Sequence, residues 1–182
     1  MESGQWIHGE TRITDARAVI RRICLDPPDC QPLPAALDAI AAADLITIGP
    51  GSLYTSLIPN LLVGRIIQGV SQSKAAKLYI QNIMTQPGET VALSAADHVQ
   101  ALADHCNGVA LFSKVLLNTA VPSNELQQKY KTEGAELVKL DRDRLRVMGY
   151  ECVERDLLSE DDVIRHDPGR LARAVYEIAR SE

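Results

Sequence analysis

The sequence has few aromatic residues, an acidic charge balance and no long apolar run, and each deficit excludes a class of protein. Aromatic residues make up 4% of the chain, too few for a base-stacking platform, and the formal net charge of -5 argues against a general nucleic-acid surface. No apolar stretch reaches the roughly 18 residues of a membrane span. We therefore expect a cytoplasmic protein that binds neither nucleic acid nor membrane.

Cysteine pairs with the spacing of a zinc cluster are also missing. The wide and irregular separations favour free thiols in a reducing compartment rather than disulfides or a metal site. We expect no metal bound by these four cysteines, which are Cys24, Cys30, Cys106 and Cys152.

What the chain does contain is an alternation of apolar strand patterns with helical patterns. Its 182 residues are enough for one domain, which we assign to 1–182. The run at 44–49 is apolar on both faces, as a buried parallel strand is. The alternation predicts an α/β fold with a mainly parallel sheet. We predict strands at 18–25, 44–49, 76–83, 113–119, 135–140 and 150–158, and helices at 35–43, 56–72, 95–106, 123–134, 141–149 and 168–181, with a hairpin or entry strand at 5–14.

The stretch "ITIGPGSLYTSLIPNLL" ends a strand in two glycines and a group of hydroxyl side chains. Glycine allows a close backbone approach, and a following helix would present free N–H groups to an anion. The pattern alone is equally typical of a tight strand-to-helix turn, so a phosphate site remains one of two interpretations. The candidate residues here are Gly49, Gly51, Ser52, Thr55 and Ser56.

Polar residues also follow the next two predicted strands. Asn82 and Thr85 lie in "QNIMTQPGET", and Asn118 ends a later strand. Because ligands of parallel sheets bind at the carboxyl ends of the strands, these side chains are candidates for reading a sugar or a base. For the second stretch the residues alone favour the alternative, an ordinary polar loop with a proline turn.

Two Asp-His pairs lie seven residues apart, at Asp97-His98 and Asp104-His105. On a helix this spacing separates the histidines by about 10 Å, too far for one metal ion. We expect His105 to be solvated or capping, whereas Asp97 and His98 lie nearer the ligand side. The sequence suggests no catalytic nucleophile, so a binding site is favoured over a hydrolase.

Four motifs in order, "ADLITIGPGSLYTSLIPNLLV", "NIMTQPGET", "ADHVQAL" and "IRHDP", resemble those of the bacterial gluconeogenesis factor family (YvcK-like), which is related to CofD-like phospholactate transferases. The resemblance implies a Rossmann-like three-layer domain and a UDP-sugar ligand. It also implies a regulatory role in carbon metabolism, cell shape and cell-wall synthesis. The alternative is a phospholactyl or phosphoryl transferase with a nucleotide diphosphate donor and Mg²⁺, for which Glu89 and Asp97 are the only candidate metal ligands.

By the same resemblance, Tyr130 and Arg165 belong to the nucleotide pocket; by residue type alone, Tyr130 would pack and Arg165 would be a surface residue. Family members begin with a strand and a "GGGTG"-type loop that do not occur in this sequence. We therefore expect the C-terminal half of a family fold, without its N-terminal strands, and self-association or a separate N-terminal half as a possible partner. Pro168 replaces a threonine that is phosphorylatable in some relatives.

Overall fold

The computed structural model describes residues 6–180. It contains eight α-helices, six strands and one π-helical turn within that range. The helices are α1 (Glu10–Asp15), α2 (Pro34–Ala42), α3 (Ile58–Leu62), α4 (Ile66–Gln72), α5 (Ala95–His105), α6 (Asn124–Thr132), α7 (Arg142–Val147) and α8 (Pro168–Ala179). The strands are β1 (Leu45–Ile48), β2 (Ala76–Ile80), β3 (Lys114–Asn118), β4 (Glu151–Arg155), β5 (Leu158–Glu160) and β6 (Ile164–His166), and the π-helical turn is Leu53–Leu57.

Four parallel strands form the central sheet in the order β1-β2-β3-β4. The register places Leu45 opposite Ala76, Leu78 opposite Lys114, and Lys114 opposite Glu151. All four strands therefore end at the same edge of the sheet, which sets the loops after them side by side. The α/β class with a mainly parallel sheet is confirmed.

Helices cover both faces of this sheet, and the alternation of side chains along β2 explains why. Leu78 and Ile80 pack on one face with Leu116 and the α8 residue Ile178. Tyr79 points to the other face, into a larger cluster with residues of α3, α4, α5 and α7. Full burial of a leucine such as Leu78 contributes about 1.5–3 kcal/mol, so the strands are stabilised from both sides.

The first predicted strands are wrong. Residues 10–15 form α1 instead of a hairpin or entry strand, and residues 18–25 have no regular structure; Gln5, where the predicted hairpin begins, lies outside the described residues. The apolar residues of this segment pack without a ladder. Ile23 is buried, and its N–H donates to Nε2 of His105 at 2.9 Å rather than to a neighbouring strand. An apolar, β-branched segment can therefore bury individual side chains without forming a strand.

The helix predicted at 56–72 is divided in three. The π-helical turn leads into α3, and α4 begins only after a break at Val63–Arg65, where Arg65 takes φ +66°. The Gly64 N–H donates to the carbonyl of Cys30 at 3.0 Å, so the break is held by the preceding loop.

Two further strand predictions need correction. Residues 135–140 form only an isolated antiparallel bridge between Met84 and Leu137. The run 150–158 divides into β4 and the start of β5, which pairs with β6 in a hairpin that the sequence analysis missed. The helices predicted at 35–43, 95–106, 123–134, 141–149 and 168–181 are confirmed with small changes of boundary, as are the strands at 44–49, 76–83 and 113–119.

Candidate functional site

The loop after β1 is clamped to the end of β2 by one asparagine. The Nδ2 group of Asn82 donates to the carbonyl of Gly51 at 2.8 Å, and the Gly51 N–H donates to Oδ1 at 3.4 Å. Gly49 takes φ +91°, and a Cβ there would lie 2.9 Å from the carbonyl oxygen of Ile80. The structure therefore brings Gly49, Gly51 and Asn82 together, and only glycine suits the first position.

A buried carboxylate stands at the start of the helical segment that follows this loop. Glu89 accepts hydrogen bonds from the N–H of Tyr54 at 3.3 Å and from the hydroxyl of Thr55 at 2.8 Å. The sequence pattern predicted that these same donors would bind a phosphate. Since Glu89 is itself an anion, it satisfies this helix start from within the protein and would repel a phosphate at the same place.

The remaining hydroxyls of the loop are also partly engaged. Ser52 Oγ accepts from Nε2 of Gln86 at 2.7 Å, which ties the first loop to the second. Ser56 is half-buried, and its N–H donates to the carbonyl of Ser52 at 3.0 Å. The two polar loops thus form one connected edge through Ser52 and Gln86.

Thr85 and Asn118 are held by backbone groups. Thr85 exchanges two hydrogen bonds with Glu136: its N–H donates to the Glu136 carbonyl at 2.7 Å, and its hydroxyl accepts from the Glu136 N–H at 2.9 Å. Asn118 Oδ1 accepts from the N–H of Ala120 and of Leu157, which joins the ends of β3 and β4. Both side chains fix loops that border the site.

Tyr130 positions the hairpin that carries Arg165. The Tyr130 hydroxyl accepts from the N–H of Ile164 at 3.0 Å, one residue before the arginine. Ile164 also packs with Ile83 and Met84 of the loop after β2, with Tyr130 against the same cluster. Arg165 itself is exposed, and within the described residues 6–180 its ion pair is a long one, to Asp161 at 3.9 Å. Its guanidinium is therefore available to a ligand.

The two histidines of α5 are buried, and this corrects the expectation that His105 is solvated. Nδ1 of His105 lies 2.7 Å from the carbonyl of Ala101, and Nε2 accepts from Ile23. His98 is fully buried, with Nδ1 2.8 Å from the carbonyl of Ser94; burial lowers its pKa, against opposing effects from Ser94 and nearby carboxylates. His105 therefore acts as an anchor for the segment before α2.

Asp97 caps α5 instead of facing a ligand. Its carboxylate accepts from the N–H and hydroxyl of Ser94, and it pairs with Arg144 at 2.6 Å. Burial raises the pKa of Asp97, but the backbone and hydroxyl bonds from Ser94 and the Arg144 pair outweigh it, so the pKa is lowered. Among residues 6–180, no group of three or more His, Cys, Asp or Glu residues is placed to hold a metal ion.

Three buried polar atoms at this edge of the sheet have no hydrogen-bond partner among residues 6–180. They are Oε1 of Gln81, Oε1 of Gln86 and Nε2 of His166. None of the three residues was among the predicted site residues, although Gln86 lies in the polar loop whose amides were candidates for reading a sugar or a base, Gln81 directly follows β2 and His166 follows the motif arginine. Their position in a motif-bearing loop was visible in the sequence, but their lack of partners required the structure.

Two clefts lie away from these loops. One, of about 690 Å³, is lined by residues of the segment 6–26, and the other, of about 490 Å³, lies beside the first turns of α8. In the second cleft, Arg170 pairs with Asp156 at 2.8 Å and Arg155 lies 3.9 Å from Glu177, so its charges are largely balanced. Neither cleft contains the glycine loop.

The cysteines and helices give two further results for residues 6–180. All four cysteines are free thiols, and burial raises the pKa of Cys106 to about 11. No helix in this range has both the length and the hydrophobicity needed to cross a membrane.

Comparisons with known proteins agree with this architecture. Residues 1–158 match the family model described as 2-phospho-L-lactate transferase CofD. The chain is 43% identical over 178 residues to a gluconeogenesis factor of Halalkalibacterium halodurans, covering 97% of this chain and 55% of that protein. It is 42% identical over 181 residues to the gluconeogenesis factor of Bacillus subtilis, covering 99% of this chain and 57% of that protein.

A crystal structure of a UPF0052 family member from Bacillus halodurans superposes with a TM-score of 0.93 at 43% identity, covering 97% of this chain and 56% of the other. The chain thus spans a little more than half of the length of these three relatives. The fold of this shared part is the same in both proteins.

Proposed function

The chain belongs to the CofD family, and from this premise we propose that it is a regulatory protein of the gluconeogenesis factor type that binds a nucleotide sugar. The ligand class is a UDP-sugar, which is what the resemblance to that branch implies. The proposal covers the activity of the whole protein, of which the described residues supply one part of the site.

The observation that carries this proposal is that a glycine loop and amide side chains lie together at one edge of the sheet, while the hairpin of the exposed Arg165 packs through Ile164 on the loop after β2. Asn82 clamps Gly51, Gln86 reaches Ser52, and Tyr130 holds the hairpin of Arg165. Amides suit the uncharged groups of a nucleotide sugar, and the planar guanidinium of arginine suits a phosphate.

Calorimetry with UDP-N-acetylglucosamine tests the proposal, with Arg165→Ala as the diagnostic variant. Loss of a charge-assisted phosphate contact should weaken binding about tenfold or more. Arg146→Ala is the matched control, because Arg146 is a comparably exposed arginine on α7 with an ion pair to Asp143. No binding by the wild type, or equal effects of both variants, would reject the proposal.

The second candidate is a phospholactyl or phosphoryl transferase that uses a nucleotide diphosphate donor and Mg²⁺, and it is favoured by the match to the 2-phospho-L-lactate transferase family. The two acidic candidates do not fit a metal site, because Glu89 serves Tyr54 and Thr55 while Asp97 serves Ser94 and Arg144. Incubation with nucleotide-activated lactate, Mg²⁺ and a deazaflavin alcohol would decide. A transfer product would replace the regulatory proposal.

A cellular role in carbon metabolism, cell shape and cell-wall synthesis belongs to the same proposal. We expect loss of the gene to impair growth on a gluconeogenic carbon source and to alter cell shape, with rescue by the wild type but not by Arg165→Ala. Equal rescue by the wild type and by Arg165→Ala would show that the cellular role does not depend on ligand binding through Arg165.

For the partner, we propose a second copy that pairs along β1, which among the described strands pairs with β2 alone. An edge strand with free backbone groups favours such pairing. Light scattering after size exclusion tests it, and a monomer at all concentrations would reject it. Dependence on a separate N-terminal half would instead appear as complex formation only when that half is added.

A further inference from the structure

The unpartnered atoms of Gln81, Gln86 and His166 belong to one connected region. The His166 ring interacts with the backbone of Gln81. Gln81 is followed by Asn82, which clamps Gly51, and Ser52 in turn accepts from Gln86. A continuous series of contacts therefore joins the three side chains along the carboxyl ends of β1 and β2.

All three unpartnered atoms are hydrogen-bond acceptors. Oε1 of a glutamine amide can only accept, and the Nε2 groups of Gln81 and Gln86 are used as donors to Asn82 O and Ser52 Oγ. Nε2 is the unpartnered ring nitrogen of His166, and burial lowers the pKa of this histidine, which favours the neutral ring. We assign the ring proton to Nδ1, which leaves Nε2 as an acceptor.

A group of acceptors without donors indicates the chemistry of the missing partner. Phosphate oxygens are acceptors too, so they gain nothing from these atoms and meet the nearby carboxylate of Glu89 as well. Hydroxyl and amide N–H groups would satisfy the three atoms. The three atoms themselves are enclosed and Gln81 is 1% exposed, whereas Gln86 and His166 are half-buried, so a ligand would reach the atoms from the side of the latter two.

We propose that Gln81, Gln86 and His166 form an acceptor subsite that binds hydroxyl or amide N–H donors in the uncharged part of the ligand, while the phosphates bind away from it on the side of Arg165. This inference rests on the proposed nucleotide-sugar binding and gives it an orientation. Tyr79 and His98 also carry unpartnered polar atoms, but Tyr79 packs in the apolar cluster on the other face of the sheet and His98 lies within α5, so neither belongs to this series of contacts.

The test compares two ligands in three variants of the full chain. Gln81→Met and Gln86→Met remove an acceptor at nearly constant volume, and Gln100→Met on the exposed face of α5 is the matched control. Affinity for UDP-N-acetylglucosamine is measured by calorimetry, and inorganic pyrophosphate is measured as its competitor. We expect both site variants to lower the affinity for the nucleotide sugar about tenfold and to change the affinity for pyrophosphate by less than about twofold.

UDP forms a further arm that identifies which part of the ligand supplies the donors. If the site variants also bind UDP more weakly, the donors belong to the nucleoside. If only the affinity for UDP-N-acetylglucosamine falls, the donors belong to the sugar. Either result supports the subsite. An unchanged affinity for the nucleotide sugar, or a parallel loss for pyrophosphate, would overturn it.

Nitrogen NMR of His166 gives a second readout that does not depend on either glutamine variant. We expect an unprotonated Nε2 in the free wild type at neutral pH, with a shift of that signal when the nucleotide sugar binds. A proton on Nε2 would overturn the subsite even if the ligand binds. A wild type that binds no nucleotide sugar would instead reject the proposed function on which the subsite rests.

Discussion

At the scale of single residues, Glu89 determines which hydrogen-bond donors after the glycine loop remain available to a ligand. The sequence pattern predicted a helix start whose free N–H and hydroxyl groups would hold a phosphate. In the fold, the N–H of Tyr54 and the hydroxyl of Thr55 donate hydrogen bonds to Glu89, which lies 35 residues after Tyr54 in the chain. A local pattern cannot reveal such a distant internal anion, and for this reason the loop acts first as a structural element.

Replacing the carboxylate of Glu89 tests this assignment. Glu89→Gln keeps one acceptor oxygen but loses the charge, and it places an amide donor toward the Tyr54 N–H or the Thr55 hydroxyl. We expect a loss of about 1–3 kcal/mol in the free energy of unfolding, measured by urea titration, because bonds to a charged acceptor are replaced in a buried place.

Glu133→Gln is the matched control, since Glu133 is exposed at the end of α6. It should change the free energy of unfolding by less than about 0.5 kcal/mol, as is usual for surface substitutions. Equal small effects of the two variants would contradict a structural role for Glu89.

At the scale of elements, two serines stand at helix starts but only one forms a side-chain cap. Ser94 accepts from the N–H of Asp97, forms a capping box with that residue and donates to Asp141 at 2.6 Å. Ser123 occupies the same position before α6, with no side-chain cap bond. Sequence signals for the two helices were similar, and the structure separates them.

Substituting both serines measures the cap itself. Ser94→Ala should lower the free energy of unfolding by about 1–2 kcal/mol, because it removes a cap and the bond to Asp141 together. Ser123→Ala should cost only a few tenths of a kcal/mol, since it removes no cap bond. Chemical denaturation with unchanged m-values provides the measurement, and similar losses in both variants would contradict the assignment.

The elements also show how far sequence reasoning reaches. Strand β1 was predicted because it is apolar on both faces, and β2, β3 and α5 followed from the alternation of strand and helix patterns. The segment 18–25 and the run 135–140 carry the same β-branched pattern but lack a neighbouring strand, which only the tertiary arrangement decides. The β5–β6 hairpin was missed because its strands have three residues each, too few for a periodic pattern.

The candidate site was predictable in outline and not in its contacts. Gly49 and Asn82 were predicted at the carboxyl ends of parallel strands, where the structure has them. Tyr130 of α6 and Arg165 of β6 were assigned by family resemblance alone. Which hydroxyls would be engaged, and that His166 would carry an unpartnered nitrogen, depends on long-range packing. The residues assigned by motif remain predictions until ligand binding is measured.

At the scale of the whole molecule, apolar clusters lie on both faces of the sheet and polar groups collect at one edge. Buried histidines form part of this arrangement. Burial lowers the pKa of both His98 and His166, with smaller opposing effects from their neighbours. Between these lowered pKa values and the ordinary one, the folded protein therefore binds fewer protons than the unfolded chain.

The stability of the ligand-free protein should accordingly fall as the pH is lowered. An unfolded histidine takes up a proton near pH 6.5, whereas the buried ones do so only at lower pH, so the unfolded state binds more protons in between. Their contribution is present above about pH 6.5 and is lost as the pH falls below it, with a slope of at most about 1.4 kcal/mol per pH unit for each histidine. The lowered pKa of Asp97 adds a further loss at more acidic pH, below its unfolded value.

Urea unfolding of the ligand-free protein at pH 7.5, 6.5 and 5.5, values that bracket the histidine pKa, measures this slope. His166→Gln should flatten it, because the group that titrates only in the unfolded state is gone. His8→Gln serves as the control, since His8 is an exposed residue whose Nδ1 lies 3.7 Å from Asp26. A slope that stays the same in His166→Gln, or that flattens equally in His8→Gln, would show that the buried ring does not couple folding to pH.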